Sequence, residues 1–488
     1  MPVYRNLICS YQLMASVVLF HRDLRLIDNT ALCAAIKSKQ PIIPVFIFPP
    51  EQIDPDKNAY FSHPAVQFMC ESLDELNSDL KAIGSQLYTF KGDTVEVLSR
   101  LHSNVQFKEL YQNRDYSVYA EKRDKHIAHW CKEHDVEFHG EHEDYDIVPL
   151  NAALLPDGRP YTNLSQYLHK LETTQKVREP NTRKPKTTDF YHGHTSPPIS
   201  SMRDYIPMSE IHEFYTKNDK IKQHGGRKNA LKIMRHLIEF KHYTKERDYP
   251  ALDKTTHISA HLHFGTVSIR EFYWALHKAL GAHNGIIRQL AFRSMYLKVY
   301  ALHPELQRGV AFRKHIDEAI HWEKDPKYWK AWTNGQTGFP LVDAGMKQLH
   351  YENWVHNRVR IVVASVATRY LHLDWRDCSK YYYQNLVDAD TFNNTAGWGF
   401  SSGIGVDAAP FFRPPTNPFI QSKKLDENAE YIKKWLPELK DVEPKDIHNW
   451  GNSKARAKYP DLKYPAPIID QKEASHRALE EFKKAAKK

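Results

Sequence analysis

The sequence predicts an α/β fold with two domains: an N-terminal doubly wound domain built on a parallel sheet, and a C-terminal domain made entirely of helices. Three observations support this fold class. Short apolar runs rich in β-branched residues alternate with helical patterns in the first third of the chain, whereas helical spacing prevails from residue 225 onward. The chain also has 488 residues, and a single hydrophobic core stops growing at roughly 250–300 residues.

The N-terminal domain is predicted over residues 16–143. Four short runs there are typical of strands, and the first two are apolar enough to be buried: Ser16–His21, Ile42–Phe48, Gln86–Phe90 and Phe107–Tyr111. Helical patterns lie between these runs, near residues 65–83, 94–102 and 118–132. No G-x-G-x-x-G motif follows the first strand, so the sequence does not predict a dinucleotide site there.

Three further segments complete the domain organisation. Residues 1–15 are predicted to be an N-terminal extension, since they lack the apolar core of a signal peptide. From residue 144 to residue 222 the hydrophobic periodicity fades and prolines cluster, which indicates an interdomain linker. Residues 223–488 form the predicted helical domain, in which Asn229–His242 and Arg288–Tyr300 place apolar side chains at helical spacing.

The composition indicates a folded, basic protein without structural metal or disulfides. Hydrophobic residues make up 41% of the chain and aromatic residues 12%, which supports a sizeable packed core. The net charge of +9 favours a polyanionic partner such as DNA. The five cysteines form no C-x-x-C motif, so we expect a reducing compartment, either the cytoplasm of a bacterium or the nucleus of a eukaryote, rather than secretion. No apolar run reaches the ~18 residues of a membrane span.

The stretch between residues 388 and 413 has the most distinctive pattern in the chain. Among small residues it combines two carboxylates, two amides, one indole and a second acidic motif: Asp388, Asp390, Asn393, Asn394, Trp398 and Asp407-Ala-Ala-Pro410. Small residues let a backbone approach a flat ligand closely. Taken alone, the stretch also fits a Gly/Ser-rich loop that caps helices.

This stretch resembles the flavin pocket of the photolyase and cryptochrome family, closest to the class I cyclobutane pyrimidine dimer photolyases, and the resemblance runs from Val17 nearly to the C-terminus. The segment Phe20-His-Arg-Asp-Leu-Arg-Leu26 resembles the family's opening signature, and we expect its charges to be structural. The resemblance implies that the helical domain binds FAD and that the N-terminal domain supports an antenna chromophore, either a folate or a deazaflavin. Asn113 fits the folate-binding pattern and Arg114 does not, so the sequence leaves a folate and a deazaflavin as alternative antenna chromophores.

The resemblance implies a set of cofactor-binding residues. The run Thr255-Thr256-His257-Ile258-Ser259 places hydroxyls at a helix start and matches the segment that holds the FAD pyrophosphate. Arg360 matches an arginine that pairs with the equivalent of Asp388, and Asn394 is the residue expected opposite flavin N5. The complete set is Tyr243, Thr255, Thr256, His257, Ile258, Ser259, Gln289, Arg293, Arg360, Asp388, Ala389, Asp390 and Asn394.

The resemblance also implies a surface that binds UV-damaged DNA. From Gln289 to Arg293 the chain reads Gln-x-x-Phe-Arg, whereas many dimer-repairing relatives read Glu-x-x-Trp-Arg. At the positions of Asn357 and Ile361, six-four photolyases typically place two histidines. The implied DNA-binding residues are Arg247, Gln289, Phe292, Tyr296, Asn357, Arg358, Phe400 and Gln421.

Three tryptophans align with the family's electron-transfer chain. Trp398, Trp375 and Trp322 are separated by 23 and 53 residues, as in well-known bacterial relatives. Indole rings are oxidisable and can pass an electron from the protein surface inward. The resemblance therefore implies that these three residues and Asn394 take part in catalysis.

The implied activity is light-driven repair of cyclobutane pyrimidine dimers in DNA by electron transfer from excited FADH⁻, the carbon–carbon lyase reaction of a deoxyribodipyrimidine photolyase. One alternative is a cryptochrome-type blue-light photoreceptor without repair activity, which Gln289 and Phe292 favour and Asn394 opposes. A second alternative is a six-four photolyase, which Asn357 opposes. We expect a monomer that acts on UV-damaged DNA and needs neither a metal nor a membrane.

Overall fold

The structure is a computed structural model that describes residues 15–192, 197–406 and 415–487. The predicted extension at residues 1–15, except for its last residue, lies outside the described residues, and so does the Asp407–Pro410 motif. None of the helices in the described ranges is both long and apolar enough to cross a membrane.

Five parallel strands form the sheet of the N-terminal domain. In chain order they are β1 (Ser16–Phe20), β2 (Ile42–Phe48), β3 (Tyr88–Lys91), β4 (Glu109–Arg114) and β5 (Glu137–Glu143). Their spatial order is β3-β2-β1-β4-β5, and each neighbouring pair is parallel. This order confirms the predicted doubly wound sheet, whose winding reverses between β1 and β4. The sequence analysis missed β5, because this partly exposed edge strand reads EFHGEHE and has no apolar run.

Helices cover both faces of the sheet. In β1, Val18 and Phe20 pack into one core and Val17 and Leu19 into the other, as the two-residue repeat of a strand requires. The helices of this part of the chain are α1 (Thr30–Ser38), α2 (Pro50–Ile53), α3 (His63–Ala82), α4 (Thr94–Val105) and α5 (Val118–Glu133), followed by α6 (Leu164–Thr174) in the predicted linker. Five of them start where a polar side chain accepts a backbone N–H: Asn29, Ser62, Asp93, Ser117 and Asn163.

The regular elements described from residue 227 onward are helical, which confirms the predicted all-helical domain. The helices are α7 (Arg227–Arg235), α8 (Tyr243–Glu246), α9 (Ser259–Phe264), α10 (Ile269–Leu280), α11 (Gly285–Leu302), α12 (Pro304–Gln307), α13 (Lys314–Ala319), α14 (Pro326–Thr333), α15 (Pro340–Glu352), α16 (Asn357–Ser365), α17 (Trp375–Asn385), α18 (Thr391–Ser402), α19 (Pro418–Leu425), α20 (Glu430–Trp435), α21 (Pro444–Ile447), α22 (Ser453–Arg456) and α23 (Gln471–Ala485). Helix α18 packs against α11, α16 and α17, which places this helical part of the distinctive stretch among the other helices of the domain.

The linker is an ordered layer over the residues described. Helix α6 packs on α11, where the hydroxyl of Tyr167 lies 2.6 Å from that of Ser294. Farther along, Phe190 forms a parallel bridge with Ile42, so the linker also contacts the sheet. The loss of periodicity in the sequence therefore reflects a segment stabilised by contacts with both domains.

A buried ion network joins the two domains. Arg270, in α10, lies 2.9 Å from Asp28 and 2.5 Å from Asp144, and Arg25 lies 2.5 Å from the other oxygen of Asp144. These four side chains are at most 5% exposed. Burial alone would raise the pKa of Asp144, but Arg25 and Arg270 outweigh burial and hold it below its usual value. The charges of the opening signature thus have a structural role, as expected.

Candidate cofactor and nucleic-acid site

An ion pair at the start of the distinctive stretch connects three elements. Arg360, in α16, donates from Nη2 to both carboxylate oxygens of Asp388, at 3.0 and 3.1 Å, and from Nε to the Val355 carbonyl at 2.7 Å. Ser259, the first residue of α9, donates its hydroxyl to Asp388 at 2.7 Å. The predicted partners Arg360 and Asp388 therefore meet, and Ser259, predicted as part of the pyrophosphate segment, contacts the same carboxylate. A buried carboxylate costs free energy unless it is paired and hydrogen-bonded. The contacts of Asp388 with Ser259 and Arg360 meet this requirement and also link α9 to α16.

Asp390, at the start of α18, joins the two domains. Its Oδ1 accepts the backbone N–H groups of Phe392 and Asn393, at 3.1 and 2.9 Å, and so caps the helix. Its Oδ2 accepts a hydrogen bond from the hydroxyl of Tyr145 and lies 3.6 Å from Nη1 of Arg22. Burial raises the pKa of the Asp390 carboxyl, although Arg22 and the hydrogen bonds oppose this effect. This residue was predicted as cofactor-binding; the structure adds a capping role.

Tyr145 is a site residue that the sequence analysis missed. The guanidinium carbons of Arg22 and Arg293 lie 4.2 and 4.1 Å from its ring centroid, within range of a cation–π interaction. Arg293 also donates to the Tyr145 carbonyl at 2.8 Å, and its burial lowers the pKa of its guanidinium to about 10. Arg22 belongs to the opening signature, so the family motif already indicated that this residue is important. Tyr145 lies in the polar linker and offered none.

The side-chain amide of Asn394 has one defined orientation. Its Nδ2 donates to the backbone carbonyl and the hydroxyl of Ser379 in α17, at 3.1 and 3.0 Å. Over the described part of the chain, no group donates to its Oδ1. The amide therefore presents a free acceptor, which is the chemistry that a position opposite a flavin N–H group requires.

The predicted pyrophosphate segment contains buried polar atoms that lack protein partners. Over the described residues, Thr255 Oγ1 and His257 Nδ1 are both buried without a hydrogen bond. His257 has a left-handed backbone, with φ of 50°, and its Nε2 lies 2.8 Å from Asp253. An unsatisfied buried polar group costs about 1–3 kcal/mol. These atoms fit the phosphate and ribose oxygens of FAD, so the segment suits the cofactor implied by the sequence.

The predicted DNA-binding residues Arg247 and Arg358 converge on one carboxylate. Arg358 donates to Asp248 at 2.7 Å, and Arg247 lies 3.5 Å from the same oxygen. The Arg247 guanidinium is 5.3 Å from the ring centroid of Tyr243, which lines an open cavity of about 580 Å³. Asn357, the first residue of α16, is exposed next to Arg358. The structure thus brings a cationic surface next to a predicted cofactor residue.

The other predicted DNA-binding residues are partly exposed on three helices. Phe292 and Tyr296 in α11 have ring centroids 6.0 Å apart. Gln289 is held within its own helix, where Nε2 donates to the Gly285 carbonyl at 3.4 Å. Phe400 and Gln421 lie half-buried in α18 and α19. The predicted cofactor residues Thr256, Ile258 and Ala389 adjoin the groups already described.

The three tryptophans lie in or against one hydrophobic core. Trp398 packs edge-on against Tyr382, with ring centroids 5.1 Å apart. Trp375 is also buried, whereas Trp322 is half-buried. Both Trp375 and Trp322 donate their indole N–H to Asp317, a residue that the sequence analysis did not identify. Of the three tryptophans, the outermost, Trp322, is therefore the most exposed, and the other two are buried.

Asn113, which fits the folate pattern, has its amide occupied by protein groups. It donates to Asp23 at 2.6 Å and to Asn29 at 2.8 Å, and it accepts from the Ala31 N–H at 3.0 Å. Arg114 stacks on Tyr116, 5.2 Å from the ring centroid. The fold alone therefore accounts for Asn113.

A crevice of about 20 Å³ opens beside Asn113 at the carboxyl ends of β1 and β4. It is lined by His21, Arg22, Asp23, Asn113, Arg114, Asp115, Asp144 and Tyr145.

Comparisons with known proteins agree with this architecture. Residues 16–186 match the family model of DNA photolyase, and residues 286–484 match the FAD binding domain of DNA photolyase. The chain is 31% identical to the deoxyribodipyrimidine photo-lyase of Halobacterium salinarum, over 95% of this chain and 98% of that protein.

Two solved structures are similar over nearly the whole chain. The archaeal photolyase from Sulfolobus tokodaii, solved with two FAD molecules, has a TM-score of 0.84 and 33% identity and covers 96% of this chain and 100% of its own. A bacterial class III photolyase from Agrobacterium tumefaciens has a TM-score of 0.87 and 29% identity and covers 99% and 100%. This chain therefore belongs to the DNA photolyase family, and its helical half carries that family's FAD-binding domain.

Proposed function

We propose that this protein repairs cyclobutane pyrimidine dimers in DNA by light-driven electron transfer. The observation that carries the proposal is the layout of α16. Asn357 and Arg358 start this helix, and Arg358 belongs to the cationic surface. Two residues farther on, Arg360 pairs with Asp388 in the candidate cofactor site. One helix therefore serves both sites. When bound, FADH⁻ supplies the photoexcited electron that splits the cyclobutane ring and then takes it back.

The residues of this chain bind the cofactor and the DNA, orient them and shield them from water. Thr255 and His257 offer unpaired polar atoms to the cofactor, Ser259 holds the Asp388 carboxylate, and Asn394 offers an oriented acceptor. Arg247 and Arg358 supply positive charge for backbone phosphates. A dimer must leave the base stack to reach the cofactor. Phe292, in α11, offers an aromatic surface on which the extruded bases can stack.

A cryptochrome-type photoreceptor without repair activity is the second candidate. Gln289 favours it, because its amide is held by the Gly285 carbonyl of its own helix and carries no negative charge. The exposed Asn357 argues against a six-four photolyase, since a histidine would be expected at that position.

Repair of a defined thymine-dimer oligonucleotide by the reduced, FAD-loaded protein under blue light tests the proposal. We expect dimer loss in the light and none in the dark, and no repair of a six-four oligonucleotide. Repair of the six-four lesion alone would identify a six-four photolyase. Absence of repair of both lesions, with reduced FAD bound, would favour the photoreceptor.

A further inference from the structure

One carboxylate oxygen binds the two outer indoles of the predicted electron-transfer chain. The Nε1 atoms of Trp375 and Trp322 both lie 3.0 Å from Oδ1 of Asp317. Asp317 belongs to α13 and is 5% exposed. Two indole N–H donors that share one buried acceptor have fixed ring orientations and feel the same negative charge.

The other oxygen of this carboxylate is paired with a cation. Arg376 donates from Nη2 to Oδ2 of Asp317, and its Nη1 lies 3.1 Å from Asp374. The guanidinium carbon of Arg376 is 4.8 Å from the ring centroid of Trp375. Within the described residues, no cation lies over the ring of Trp322. The two outer indoles thus share an anion but differ in their exposure to a cation.

The backbone already holds the two segments together without Asp317. The N–H of Glu323 donates to the His372 carbonyl at 2.6 Å, and Glu323 forms an isolated parallel bridge with Leu373. Trp322 precedes this bridge, and Trp375 follows it at the start of α17. The carboxylate therefore acts on the indole rings in addition to a connection that the main chain makes.

We propose that Asp317 is a positioning residue that orients the two outer indoles and stabilises positive charge on them, and that Arg376 directs this charge from Trp375 to Trp322. This inference rests on the proposed light-driven function, because it concerns how the cofactor is returned to its reduced form. It adds to the tryptophan chain a carboxylate and a guanidinium that set the direction of electron flow.

Each step moves one electron inward and one positive charge outward. In the FAD-loaded protein, Trp398 would lose an electron under light to oxidised flavin. Electron transfer from Trp375 to Trp398 and then from Trp322 to Trp375 would follow. Hydrogen bonding to a carboxylate stabilises an indole that has lost an electron, and the guanidinium over Trp375 opposes that stabilisation more strongly at this ring than at Trp322. The charge therefore settles on the half-buried Trp322, where an external thiol supplies the replacement electron.

Flash photolysis of the FAD-loaded protein with oxidised flavin tests this proposal through the lifetime of oxidised tryptophan. We expect Asp317→Asn to shorten that lifetime about tenfold and to slow steady photoreduction with a thiol by a similar factor, because a charge within hydrogen-bond distance is removed. Glu318→Gln is the matched control. It removes the carboxylate next to Asp317 in α13, which forms an exposed pair with Lys314, so the lifetime in this variant should stay near that of the unchanged protein.

Asp317→Glu separates charge from packing. We expect it to restore most of the lifetime, because the negative charge returns. An unchanged lifetime in Asp317→Asn, or equal losses in the Asn and Glu variants, would overturn the proposal. The flash measurement needs no DNA, so failure of the unchanged protein to repair dimers would refute the proposed repair function and leave this inference standing.

Discussion

Arg358 and Arg360 stand two residues apart in α16 and serve different partners. Arg360 is bound to Asp388, and Arg358 pairs with Asp248 through a contact between side chains that are 37% and 39% exposed. An exposed pair of this kind contributes little to stability. Arg358 is therefore available to exchange its carboxylate for a DNA phosphate at little cost.

We expect Arg358→Ala to weaken binding to dimer-containing DNA and to reduce the slope of log K against log salt by about 0.9, since one phosphate contact is lost. Fluorescence anisotropy at several salt concentrations measures this slope. Arg159→Ala is the control, because it removes an equally charged side chain that is 74% exposed and pairs with Asp157. An unaltered slope in the Arg358 variant would rule out a phosphate contact.

Trp398 is the buried end of the predicted electron-transfer chain. We expect Trp398→Phe to slow photoreduction of oxidised flavin at least about tenfold, because phenylalanine is far harder to oxidise. Protein reduced chemically beforehand should still repair dimers, since the chain serves only to reduce the cofactor. Absorbance of the flavin under steady blue light measures the rate, and a rate equal to that of the unchanged protein would remove Trp398 from the chain.

At the scale of elements, α18 carries Asn394 and Trp398 and is positioned by its first turn. Asp390 caps it through two backbone N–H groups and ties it to Tyr145 of the linker. Sequence reasoning identified Asp390 as a cofactor residue from its motif. It did not assign the cap to Asp390, although that contact is local, and it could not identify the contact with Tyr145, because this partner comes from elsewhere in the chain.

Asp390→Ala should lower the free energy of unfolding by about 2 kcal/mol, because it removes the cap and leaves buried donors unpaired. Asp390→Asn should cost less, since asparagine caps a helix as well as aspartate does. Denaturant unfolding followed by circular dichroism compares the two variants. Equal losses would show that the charge at this position matters and the cap does not.

At the scale of the whole molecule, the buried network of Arg25, Asp28, Asp144 and Arg270 sets how the domains meet. The arginines lower the pKa of Asp28 and Asp144 in the folded protein despite the opposing effect of burial. At these two carboxyls the folded state therefore binds fewer protons than the unfolded chain. The stabilisation is complete above the ordinary aspartate pKa of 3.8 and is lost as the pH falls below it.

We expect Asp144→Asn to lower the thermal midpoint at neutral pH and to flatten the loss of stability between about pH 5 and about pH 2, because one of the titrating groups is gone. Calorimetry across this range measures both effects. Asp157→Asn provides the control, since Asp157 is an exposed carboxylate in a local pair with Arg159. An acid slope as steep as that of the unchanged protein would exclude Asp144 as a source of the pH dependence.

The sequence by itself determined the two-domain fold, because apolar periodicity is a local property of a chain. Its motifs indicated the family, and the resemblance to that family implied the pairing of Arg360 with Asp388. Only the tertiary structure decided that Tyr145 reaches Asp390, 245 residues away, and that Asp317 joins Trp375 to Trp322. These contacts depend on where distant helices pack, and packing is set by the shape of the entire core. The sequence around a single tyrosine or aspartate in a polar segment does not indicate which distant residue that side chain contacts in the folded protein.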